Sequence, residues 1–140
     1  MRFVDSVWFG ALLAFGITFL VGCGGPAGPS TAVVQGRIVF TKGGNAKSLF
    51  DRQGMIEFES VEKPDVRAAG EIHEDGSFTL TTLQEGATIG GGAIPGNHRV
   101  RLNLDESAAH LVAPQFLSFE RSGIIVKVPS DQPIEIKVWR

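Results

Sequence analysis

Few side chains in this 140-residue sequence can do chemistry: one cysteine, three histidines and some closely spaced carboxylates. Cys23 is the only thiol, so it has no disulfide partner within the chain, and no His and Asn set accompanies it to make a nucleophile. His73, His98 and His110 fall on separate segments at spacings that match no zinc motif, and each reads as a surface or turn histidine. Glu71, His73 and Asp75 ahead of Gly76 have the rhythm of a calcium loop. Thr82, however, stands at the twelfth position, where a bidentate Glu is required, and an Asp-Gly turn accounts for the same residues. Glu57, Glu59 and Glu62 offer the paired carboxylates of sugar hydrolysis, yet no insertion builds a cleft around them. Their expected role is pairing with Arg67, Arg99 or Arg101 on neighbouring strands, on a solvated face. Ser122 in "ERSGI" has neither a strained elbow nor a paired base. The glycine-rich "GATIGGGAIPG" lacks the Gly-Lys-Ser/Thr ending of a phosphate loop and reads as a flexible inter-strand loop. The residues point to no catalytic set, no metal and no cofactor.

Cys23 has a different meaning when its neighbours are included. Residues 7–21, "VWFGALLAFGITFLV", carry one polar side chain, Thr18, and follow Arg2. The run is shorter than the roughly 20 residues needed to cross a bilayer and matches the apolar segment of a signal peptide. Asp5 departs from the usual positive start. Leu20-Val21-Gly22-Cys23 resembles the lipobox of bacterial lipoproteins. That resemblance implies cleavage between Gly22 and Cys23 and acylation of the Cys23 thiol. Gly24 after the cysteine, rather than Asp, implies the outer membrane if Gram-negative sorting applies. The expected organisation is a signal peptide over residues 1–22, a lipid-anchored flexible tether over 23–32 ("CGGPAGPSTA"), and one domain over 33–140. Thirteen basic residues against fifteen acidic ones give a net charge of -2, with no basic block of the kind that nucleic-acid binding needs.

From Val33 the apolar period is two. Seven short runs alternate: residues 33–40, 55–59, 67–73, 77–81, 99–104, 124–128 and 134–139. Asp75-Gly76 between two such runs is a hairpin signal, and Gly43-Gly44-Asn45, Pro95-Gly96-Asn97 and Pro129-Ser130-Asp131 punctuate other boundaries. No stretch reads as a helix of three turns; residues 107–111 suit one turn at most. Seven strands with one apolar face each call for an all-β sandwich, two sheets packed face to face. Trp139 takes outward parity in the last run, where it either anchors a partner or covers the sandwich edge.

Three segments carry a resemblance: Val34-Gln35-Gly36-Arg37-Ile38, the run from Ala69 through Asp75-Gly76 to Leu80, and Gly92-Ala93-Ile94-Pro95-Gly96-Asn97-His98-Arg99-Val100. They are similar to carboxypeptidase regulatory-like domains, which are transthyretin-like sandwiches. The segment over residues 114–128 is similar to small bacterial lipoproteins that carry this domain. The chain departs from the pattern at His98, where Tyr or Phe is usual, and in a longer connection over residues 82–92. The resemblance implies a binding, stabilising or anchoring module without catalysis of its own, attached to a bacterial membrane by lipid and facing an envelope protein or glycan. The enzymatic branches of the fold do not match: there is no tyrosine for an iron site, and Lys137-Val138-Trp139-Arg140 stands where transthyretin-like hydrolases end Tyr-Arg-Gly-Ser. Two alternatives are kept. One is an envelope hydrolase using the loop that begins at Gly86 and ends at His98, with His98 beside a carboxylate. The other is a carbohydrate-binding module, whose mark would be exposed aromatic residues.

Overall fold

The computed structural model describes residues 29–140; the expected cleavage and acylation site at Gly22 and Cys23 lies outside them. Strands form where alternate side chains can be buried on one face. In chain order the elements are β1 (Gln35–Lys42), α1 (Ala46–Asp51), β2 (Met55–Ser60), β3 (Val66–Glu71), β4 (Ser77–Thr79), β5 (Thr81–Gln84), β6 (Ala87–Gly91), β7 (Gly96–Asn103), β8 (Ile125–Val128) and β9 (Ile134–Trp139). Two short 3-10 turns, Ala109–Leu111 and Pro114–Leu117, lie between β7 and β8.

The strands form a six-stranded sheet, ordered β6-β5-β3-β2-β7-β8, and a three-stranded sheet, ordered β4-β1-β9. Neighbours are antiparallel except β1 and β9, which run parallel with Gly36 opposite Ile134 and Phe40 opposite Val138. Ile56, Phe58, Ala68, Val100 and Leu102 from the large sheet meet Ile38, Phe78, Ile136 and Val138 from the small one in a single core. Each fully buried Val, Leu, Ile or Phe among them contributes roughly 1.5–3 kcal/mol. The all-β sandwich expected from the alternation is the fold observed.

The structure corrects the count of seven strands to nine. Most of the β5–β6 hairpin, at one edge of the large sheet, falls within residues 82–92, expected as a long connection, and in the glycine-rich stretch from Gly86, expected as a flexible loop. Their glycines remove the apolar alternation that marks a strand in sequence, while the ladder itself needs only backbone groups. A six-residue helix, α1, also appears. Asn45 caps it by accepting from the Ser48 amide at 2.9 Å, and Leu49 is fully buried beneath it. Finally, the expected tether is part of the domain at its end: Ala32 exchanges two backbone hydrogen bonds with Ala93, at 2.8 and 2.9 Å.

Strand register gives the sandwich two distinct ends. Met55 lies opposite both Glu71 and Asn103, so these residues share one end of the large sheet. Ser60 lies opposite His98, about 17 Å away along β2 at the usual rise per residue. The chain enters at the Ser60 end, where Pro29 and Ser30 border a depression with Ser60, Glu62, Ile94 and Pro95.

Two carboxylates fix turns. Asp75 accepts from the Ser77 hydroxyl at 2.6 Å and the Ser77 amide at 2.9 Å, and those hydrogen bonds, aided by Arg37, hold it below its ordinary value of 3.8. Asp105 is lowered in the same way by the Ser107 hydroxyl and the Ala108 amide. A folded-state value below the unfolded one means that the stabilisation is complete above the unfolded value and is lost as pH falls through the folded one. Urea midpoints of Asp75→Asn and Asp105→Asn should therefore approach that of the parent as pH drops below about 4, with the difference greatest near neutrality. A constant difference across that range would mean that charge plays no part in these turns.

Candidate functional site

A groove lies at the end of the sandwich opposite the chain entry. Helix α1 stops at Arg52, and the chain reverses through Gln53 and Gly54. The Gln53 amide donates to the Phe50 carbonyl at 2.9 Å, and the Gly54 amide donates to the Leu49 carbonyl at 2.8 Å. This is a Schellman closure with Gln53 at the left-handed position, φ 54°, where glycine is usual. A non-glycine residue there costs roughly 1–2 kcal/mol. The turn leaves Phe50 43 % exposed, beside a groove of about 420 Å³ whose lining includes Gln53, Met55, Glu71, Ile72 and His73. His73 also borders two adjoining open depressions. One spreads over Arg37, Ser77 and Glu135 on the small sheet, the other over Ala69, Thr81 and Leu83 on the large one. Among the described residues, the side chains of Gln53, Glu71 and His73 make no hydrogen bond to another group of the chain.

The carboxylates of β2 behave differently. Glu59 accepts from Arg99 at 2.6 Å and from Arg67 at 3.0 Å, while Glu57 accepts from Arg101 at 2.8 Å and Asn103 at 2.7 Å. The pairing expected from strand neighbours is present, but the face is not simply solvated. Phe119 lies over the guanidiniums of Arg101 and Arg67, at 4.6 and 5.3 Å from its ring centre, and is itself buried. Every acceptor of this cluster is engaged, which suits holding the β7–β8 connection against the sheet rather than receiving a ligand.

His98 is not a surface residue. It is 1 % exposed, its Nε2 donates to the Ile94 carbonyl at 2.8 Å, and its ring sits 6.0 Å from that of Phe58. Its buried Nδ1 has no partner among the described residues, so the carboxylate expected beside His98 is not bonded to it. The missed signal was parity: β7 begins at Gly96, and counting back by two from Val100 puts His98 on the inner face. Trp139 is 39 % exposed on the edge strand β9 and stands edge-on against Phe116, with ring centres 4.7 Å apart. The loop that begins at Gly86 is the β5–β6 turn and the strand leading to Ala93. Ser122 is buried, its hydroxyl accepting from the Ile124 amide at 3.3 Å. His73 and His110 are exposed, and among the described residues no three His, Cys, Asp or Glu side chains gather as metal ligands. What sequence reasoning missed entirely is Phe50, whose helix is too short to show a period.

No protein-family model, curated protein or solved structure matches the chain. Fold and surface define its class: a two-sheet β-sandwich with the chain entering at one end and an unpaired polar groove at the other.

Proposed function

We propose that the chain is a bacterial lipoprotein, acylated on Cys23, that displays a non-catalytic sandwich of the carboxypeptidase regulatory-like kind at an extracytoplasmic membrane surface, where it binds or bridges another envelope component. The observation that carries this reading is Leu20-Val21-Gly22-Cys23 directly after the apolar run of residues 7–21, with the only thiol of the chain at the acylation position. Two acyl chains, at about 0.8 kcal/mol per buried methylene, anchor a protein stably where one does not. Cys23 precedes Pro29 by six residues, a reach of about 20 Å fully extended. On this reading the Ser60 end of the sandwich faces the membrane, and the Phe50 groove faces away from it, towards whatever the protein binds.

Cys23→Ala should move the protein from the detergent-requiring membrane fraction to the soluble one, and should abolish incorporation of a clickable palmitate analogue. Unchanged membrane retention in that variant would overturn the anchoring. In-cell crosslinking of the attached protein, read by mass spectrometry, should capture an envelope component through residues of the Phe50 end.

A further inference from the structure

We propose that the groove formed by Phe50, Gln53, Met55, Glu71 and His73 is a saccharide-binding site. The proposal deepens the binding role argued above by naming its site and the class of its ligand. Three observations carry it. The first is the Phe50 ring, 43 % exposed at the end of a helix whose neighbouring residue Leu49 is fully buried. An exposed phenyl face is electron-rich at its centre and accepts the C–H face of a pyranose. The second is the polar inventory. Gln53 offers two donors and an acceptor, Glu71 offers acceptors, and His73 offers one of each in its neutral form. Among the described residues none of these is committed to another protein group, in contrast to Glu57 and Glu59 on the same sheet. A sugar ring, with adjacent hydroxyls that both donate and accept, satisfies such a mixed set. An anionic ligand would meet the carboxylate of Glu71. The third is the strain at Gln53. Glycine would relieve the left-handed backbone; Glu85 in the β5–β6 turn is strained alike, but of the two Gln53 alone lines this groove. The groove, at about 420 Å³, falls within the roughly 300–1,000 Å³ range of small-ligand sites.

The test uses the full chain in detergent, pelleted with insoluble cellulose, chitin or peptide-free peptidoglycan glycan strands, the depletion of the supernatant giving Kd. The expected result is retention on at least one polymer, displaced by a soluble oligosaccharide of the same linkage. Phe50→Ala should weaken it at least tenfold, with only a small fall in the urea midpoint, since the ring is part exposed. Gln53→Gly should also weaken it, while raising the midpoint or leaving it unchanged. No retention on any of the three overturns the proposal, as does retention that Phe50→Ala leaves intact. Displacement by a lysine-rich peptide but not by oligosaccharide overturns it in favour of a cationic peptide ligand. The assay is indifferent to acylation, so loss of attachment in Cys23→Ala and loss of retention in Phe50→Ala are separate failures.

Discussion

A Gly92→Ala chain should lose about 3 kcal/mol of stability or more, read as a large fall in the urea midpoint at unchanged slope. Gly92 has φ 82°, a conformation that a side chain strains, and a methyl group built there would overlap the carbonyl oxygen of Ala32. Neither side can give way cheaply. The Ala32 carbonyl accepts from the Ala93 amide, the Gly92 amide donates to Leu80, and the Gly92 carbonyl accepts from the buried Thr82 hydroxyl at 2.6 Å. Gly91→Ala is the matched control: an added methyl there meets nothing within 4 Å, and the change should stay within about 0.5 kcal/mol. Equal effects of the two substitutions would show that the entry of the chain does not pack against the hairpin in this way.

Glu59→Gln should cost about 2 kcal/mol. Removing one partner of a buried ion pair costs roughly 3–5 kcal/mol when the other charge is left dry. Here the Glu59 side chain is 7 % exposed, but those of Arg67 and Arg99 are 48 % and 32 % exposed, so water takes over part of what the carboxylate supplied. The amide keeps the shape and loses the charge. A double-mutant cycle with Arg99→Gln should show coupling of about 1 kcal/mol, and a similar cycle with Arg67→Gln less, in keeping with its longer and more exposed contact. Absence of coupling in both cycles would reduce Glu59 to a packing residue.

The legibility of the fold followed the apolar alternation. β1, β2, β3, β7, β8 and β9 carry two or three inward apolar residues each, and burial of that face is what makes them strands. β5 and β6 carry almost none: Ala87-Thr88-Ile89-Gly90-Gly91 is held by its ladder to β5, and a ladder leaves no mark on side-chain pattern. α1 is legible only at its Asn45 cap, since six residues complete less than two turns. The charged partners of Glu57 and Glu59 were readable because cross-strand neighbours follow from register. The inward parity of His98 follows only from a strand that begins at Gly96; an alternation read from Arg99 hides it. The groove at Phe50 could not be read at all. It is assembled from α1, the turn at Gln53, the start of β2 and the end of β3, and only the packing of Leu49 beneath the helix brings them together.

The parallel pairing of β1 with β9 joins strands almost a domain length apart, and it has a consequence for the order of events in folding. Two pairings of the large sheet, β2 with β3 and β5 with β6, are local reversals whose loops close early and at small entropic cost, whereas β2 and β7 pair across the four strands between them. The small sheet is complete only once β9 pairs with β1, its central strand, since β4 contributes only three residues. Ile136 and Val138, opposite Ile38 and Phe40 of β1, join the core only at that step. Such non-local closure is slow relative to hairpin formation. In synthesis β9 is also the last of these strands to appear, and until it docks the part of the core that Ile136 and Val138 fill is open to solvent.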